Sequence, residues 1–250
     1  MNEPLALSGL VFSFLALVVL SNAIRRQIIS ISVLLTNRNS LGIKLYSLLF
    51  LPGTIIHELG HFLTAAVLLV PTGTITIFPE DLDDNRVKLG SVQVARTDFL
   101  RGSLIGIAPL VVGCVLLLVL YEENFASLSQ NILKLPATFI QELVRASQHA
   151  AEFAALYLML AIGNSMFTSK EDARYWPVVA LLFIPFFVAF IIGGQFNIAS
   201  HTLGELASVV SIKLTNPFLF TALIDVGLLI PLWLLKRLLE NTLHKHLRYS

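Results

Sequence analysis

Six apolar runs divide the chain, at about Leu5–Ile24, Leu45–Val70, Leu104–Tyr121, Ala150–Phe167, Trp176–Gly194 and Phe218–Leu235. A helix needs roughly 20 apolar residues to cross about 30 Å of hydrocarbon, so each run predicts a membrane span. Between the second and third runs the pattern shifts towards alternation. Thr72–Pro79 and Leu89–Ala95 are rich in β-branched residues and flank the acidic stretch Glu80–Asp84, which predicts a short β-hairpin. Bare strand edges are not tolerated in lipid, so this hairpin belongs at the headgroups, within protein or along a water-filled cavity, beside the second span. Asn124–His149 and Gln195–Asn216 mix apolar and polar residues at helical spacing. In the first of them Ile132, Leu135, Phe139, Leu143 and Ala146 line one face, as in an amphipathic connector at the interface. The expected fold is an all-α polytopic membrane protein of about six transmembrane helices with a membrane-edge β-hairpin. It forms one domain over residues 1–250, with its core at 45–190 and the hairpin at about 72–96.

Composition agrees with this class. Hydrophobic residues make up 56% of the 250, charged residues 13%, and the mean hydropathy is +0.79. A soluble chain carries about a quarter charged residues. The net charge of +1 and the absence of a like-charge run offer no basic field for nucleic acid, so that class of partner is excluded. The single cysteine, Cys114, rules out an intrachain disulfide and a cysteine-based zinc cluster. Basic residues follow the first span (Arg25, Arg26, Arg38), occupy the hairpin (Arg86, Lys88, Arg96) and crowd the tail (Lys236, Arg237, Lys245, Arg248), so charge bias gives no single orientation.

Candidate chemistry concentrates in His57-Glu58-Leu59-Gly60-His61, inside the second run. Two histidines four apart project from one helix face and can share a metal, while the glutamate between them can reach a metal-bound water. An acidic side chain at mid-bilayer disfavours insertion by about 2.5–3.5 kcal/mol, so three ionisable groups in one turn call for a compensating ligand. The plainer alternative makes His57 and His61 packing residues and lets Glu58 line a polar crevice. A zinc that works on substrate takes three protein ligands and keeps one position open. Glu152, Asp172, Glu205 and Asp225 are the carboxylates in or beside spans that could complete the set. Pro71 lies ten residues beyond His61, so at about 1.5 Å per residue the metal would sit roughly 12–15 Å below the surface bearing the hairpin. Pro52-Gly53 before the motif and Gly60 within it allow bending and close helix approach.

These features resemble the site-2 protease family of intramembrane zinc metalloproteases (M50-like). Its HExxH helix is paired with a later asparagine and aspartate eight residues apart, an interval kept here by Asn164 and Asp172. Gly106-Ile107-Ala108-Pro109-Leu110 is similar to the family's small-residue-plus-proline motif, and the hairpin to its membrane-edge strands. Residues 45–190 carry the likeness. Ala173 stands where the family usually has glycine, and the usual prolines between the asparagine and aspartate are missing. A gluzincin-like arrangement would use Glu152 instead of Asp172.

The resemblance implies Zn2+ held by His57, His61 and Asp172, with Glu58 as general base on the zinc-bound water. Zinc would polarise the scissile carbonyl and lower the pKa of that water to about 7, while Asn164 would donate to the substrate backbone or the developing oxyanion. An asparagine bonding a neighbouring helix is the other reading of Asn164. The substrate would be a membrane-spanning regulator, with an adaptor or an upstream protease as possible partners, and the protein a multi-pass one in a bacterial cell membrane. The rival from another class is a non-proteolytic membrane zinc protein: a chaperone-like binder of transmembrane segments or a metal-handling protein.

Overall fold

The computed structural model describes residues 3–82, 86–88, 90–125, 135–167 and 200–244. They form α1 (Glu3–Thr36), α2 (Asn39–Leu49), α3 (Leu51–Val67), β1 (Thr72–Thr76), β2 (Glu80–Leu82), β3 (Arg86–Lys88), β4 (Ser91–Val94), α4 (Phe99–Phe125), α5 (Leu135–Gln148), α6 (Ala150–Ser165) and α7 (Ser200–Leu243).

Among the described residues, three stretches are long and apolar enough to cross a membrane: Leu7–Thr36, Phe99–Phe125 and Val209–Leu243. Their outward faces carry large apolar side chains, among them Phe12, Leu15 and Val19 on α1 and Val111, Val115 and Val119 on α4. So much exposed apolar surface marks a protein whose solvent is lipid. Six spans are not shown among the described residues. The second run is not one straight helix: α2 and α3 meet at 79°, as in a broken span or re-entrant element, giving a fourth crossing only if the pair counts as one. The break has a local cause. Phe50 leaves helical geometry at φ −107° and ψ 20°, and α3 restarts with Pro52 in its first turn, where the missing N–H costs nothing. The fourth run yields α6, whose 16 residues are short for a full crossing. The fifth, Trp176–Gly194, lies outside the described residues.

The long helix α1 packs along α7, and α3 packs against α4 and α6. One apolar core joins Leu17 of α1, Leu117 and Tyr121 of α4, Phe139 and Ala146 of α5, Met159 and Ile162 of α6, and Phe218 and Phe220 of α7. The connector face expected on α5 is therefore real where its side chains are described, and it turns inward. A second core gathers Ile24 and Ile28 of α1, Tyr46, Phe50 and Ala161.

The expected hairpin is present and more elaborate. β1 pairs antiparallel with β4 (Thr72↔Val94, Ile75↔Val92, Thr76↔Ser91) through an irregularity between Thr72 and Ile75, and β2 pairs with β3 (Glu80↔Lys88, Asp81↔Val87, Leu82↔Arg86). The acidic stretch thus contains a strand. The exit from α3 fixes where these strands begin. Val70 N–H donates to Ala65 O (2.9 Å) and Leu69 N–H to Ala66 O (3.1 Å), a Schellman pairing that places Leu69 in the left-handed region at φ 57°.

Candidate metal centre

His57, Glu58 and His61 lie on the middle turns of α3 and are all buried, at 4%, 7% and 9% exposure. The two imidazoles stand edge to face, their centroids 4.9 Å apart and their planes at 82°. His61 Nδ1 lies 2.8 Å from the Ile105 carbonyl of α4. A carbonyl only accepts, so in the neutral ring Nδ1 carries the proton and Nε2 keeps its lone pair, the tautomer a metal ligand needs. A second element thus orients one histidine.

Glycines bring the neighbouring elements in. A Cβ at Gly60 would lie 3.1 Å from Pro109 Cα and 3.2 Å from Pro109 N, so α4 touches α3 along its backbone one residue before His61. A Cβ at Gly53 would overlap the Ala161 carbonyl and Ser165 Oγ, which sets the end of α6 against the start of α3, one turn before His57. A Cβ at Gly90, just before β4, would lie 2.9 Å from Glu58 Oε1 and 3.1 Å from Thr54 Cγ2. The hairpin therefore rests on the glutamate, as expected from its position next to this helix. The Gly106–Leu110 stretch, the end of α6 around Asn164 and Gly90 before β4, separated in sequence, all meet α3.

The candidates for a third ligand fare differently. Asp172 and the side chain of Glu205 lie outside the described residues. Glu152 sits in the first turn of α6 and takes a hydrogen bond from Arg145 Nε at 3.1 Å. Nine residues separate it from Ala161, about 13 Å along the helix axis, so it lies well away from the end of α6 that meets α3. Among the described residues no group of three or more His, Cys, Asp or Glu is close enough to hold a metal. The part of a donor set that is described, two imidazoles on one buried face with the His61 ring in the Nδ1–H tautomer, has the donor chemistry that zinc takes.

Asn164 is 1% exposed at the end of α6. Its Nδ2 donates to Leu160 O (3.0 Å) and to Asp225 Oδ1 of α7 (2.7 Å), and its backbone carbonyl accepts from Tyr46 Oη (2.8 Å). Leu160 O can only accept, which fixes the amide with nitrogen on that side. Both amide hydrogens are thereby engaged, so the donation to substrate expected from the sequence would require release of one. Asp225 is the residue whose position sequence reasoning missed. It is completely buried, its signal was a lone carboxylate between Ile224 and Val226, and its partner lies on another helix.

No protein-family model, curated protein or solved structure matches this chain.

Proposed function

We propose that this protein is an intramembrane zinc metalloprotease that hydrolyses a peptide bond in or near a transmembrane segment of a membrane-protein substrate. The observation that carries the reading is the buried His57–His61 pair, with His61 held in the metal-binding tautomer by Ile105 and Glu58 on the turn between them. When bound, zinc supplies Lewis acidity to the scissile carbonyl and acidifies its water. His57 and His61 would hold it from one helix face, with Asp172 as the third ligand. Asp172 keeps the eight-residue interval from Asn164 that the resembled family has.

Glu58 takes the proton of the attacking water and delivers it to the leaving amine. Its burial under Gly90 keeps the base out of bulk water, and the missing side chain there leaves Oε1 its room. Asn164 Oδ1 is buried with no hydrogen-bond partner among the described residues, so this atom is the acceptor the site offers a substrate N–H. The partner is a membrane-spanning protein in the same bilayer, in a bacterial cell membrane.

Glu58→Gln tests the reading. In detergent-purified protein incubated with fluorescently labelled casein, the variant should keep its zinc and lose cleavage by at least about 100-fold, at the low end of what removal of a catalytic proton carrier costs. Zinc binding with no cleavage in the wild type would favour a non-proteolytic zinc protein, and cleavage that ignores Glu58 would remove Glu58 from its role as the base.

A further inference from the structure

Asp225 has no role in the reading above, yet it is buried at 0% exposure inside the span Val209–Leu243. An ionisable side chain within a span is better explained by function than by stability, with its partner as the clue. The partner is Asn164 of α6, 1% exposed, whose Nδ2 donates to Asp225 Oδ1 at 2.7 Å and to Leu160 O at 3.0 Å. Both amide hydrogens are engaged. The second oxygen of each group is left over: Asp225 Oδ2 and Asn164 Oδ1 are buried and have no hydrogen-bond partner among the described residues.

An ionised carboxylate cannot satisfy the amide any further, since both leftover atoms only accept. A proton on Asp225 Oδ2 changes this. The acid then donates its O–H to Asn164 Oδ1 while Asp225 Oδ1 still accepts from Nδ2, a cyclic acid–amide pair in which one added hydrogen serves both orphaned oxygens. The amide oxygen keeps its second lone pair for a substrate N–H. Neutrality also removes the cost of holding an unpaired charge in a low-dielectric interior, where such a carboxylate takes up a proton instead. Few charged or titratable groups surround the pair. Tyr46 of α2 lies within electrostatic reach of both Asp225 and Arg25 of α1. Tyr121 of α4 stacks on Phe220, five residues before Asp225, and Glu152 of α6 is twelve residues from Asn164 and bonded by Arg145 of α5. Among the described residues no cation forms an ion pair with Asp225.

We propose that the Asp225–Asn164 pair is a proton-binding site within the membrane, whose bound proton joins α6 to α7 by two hydrogen bonds in place of one. The same end of α6 is tied to the bent helix pair. Tyr46 Oη donates to the Asn164 carbonyl at 2.8 Å, and the Ala161 carbonyl and Ser165 Oγ lie against Gly53 of α3. Loss of the proton leaves two acceptors side by side at this junction and loosens it. The inference needs neither the metal nor the protease reading.

The test is infrared spectroscopy of the full chain in detergent near neutral pH. The difference between wild type and Asp225→Asn should contain the C=O stretch of a protonated carboxyl, and that band should shift when the wild type is made with aspartate carrying a heavy carboxyl carbon. The labelled wild type gives the answer even if the variant does not fold. Reversible unfolding at a series of pH values reads the same proton as an equilibrium. An asparagine at 225 makes both bonds to Asn164 at every pH, whereas the wild type must take up a proton to make them. Its folding constant should therefore match the variant's pH dependence in acid and fall relative to it by about tenfold per pH unit once the pH exceeds about 4, the ordinary value of an unfolded aspartate, until the proton leaves the folded state. A plain structural contact between Asn164 and an ionised Asp225 gives an ionised-carboxylate band and a difference between the two proteins that does not change with pH; either result overturns the inference. A carboxylate band with stability that follows sodium or potassium concentration overturns it too, in favour of a bound cation.

Discussion

Three helical glycines form an internally controlled test of how α3 is held. Replacing glycine by alanine inside a helix gains about 1 kcal/mol of backbone preference. At Gly227 of α7 nothing lies within 4 Å of the added carbon, so that gain should stand alone and stabilise the protein by up to about 1 kcal/mol. At Gly60 the carbon meets Pro109 Cα at 3.1 Å and Pro109 N at 3.2 Å, so α4 must retreat by a few tenths of an ångström. The cost there is near the lower end of the roughly 1–3 kcal/mol typical of overpacking, and the net change is close to zero. At Gly53 the carbon overlaps the Ala161 carbonyl and Ser165 Oγ, and the first of these is backbone that cannot rotate aside. The upper end of the same range applies, leaving a net loss of about 2 kcal/mol. Reversible unfolding in mixed micelles, followed by circular dichroism, should rank the variants Gly227→Ala, Gly60→Ala, Gly53→Ala from most to least stable. A Gly53→Ala protein as stable as wild type, or a Gly227→Ala protein as damaged as Gly53→Ala, would refute the packing described for α3.

Two further outcomes follow from the hydrogen bonds around this unit. Tyr46→Phe removes the donor to the Asn164 carbonyl and should cost about 1 kcal/mol in the same unfolding assay, whereas Tyr157→Phe, whose hydroxyl bonds Leu49 O from an exposed position, should cost less. At the start of α4 the Arg101 backbone N–H donates to Asp98 Oδ1 at 3.0 Å and holds this exposed carboxyl below its ordinary value. A lowered folded-state value means a stabilising contribution that is present above the unfolded-state value of about 4 and lost as the pH falls through the folded one. Unfolding midpoints of wild type and Asp98→Ala should therefore differ at pH 7 and converge in acid.

Much of this architecture was legible because it is written locally. The HExxH helix, the β-branched strands around Glu80–Asp84 and the inward face of α5 each declare themselves within a dozen residues. The number of spans did not, since hydropathy measures how apolar a window is and not whether it is straight: Leu45–Val70 reads as one span, while Pro52 restarts the helix after Phe50 at 79°. The sequence also left His61 with no visible partner, because the carbonyl that orients it belongs to Ile105, and backbone acceptors carry no sequence signature. Asp225 was visible as an odd charge in an apolar stretch, but its pairing with Asn164 joins two helices 61 positions apart and is set only by how α6 and α7 pack. Glu152, plausible as a ligand by residue type, is occupied by Arg145.

The central claim is a zinc held by His57, His61 and Asp172, and it is tested most directly by metal content per chain in the wild type, His57→Ala, Asp172→Ala and Glu152→Ala proteins. The account predicts one zinc in the wild type and in Glu152→Ala, and zinc lost from His57→Ala and Asp172→Ala. Zinc that survives in Asp172→Ala, or a wild type that binds none, would contradict it.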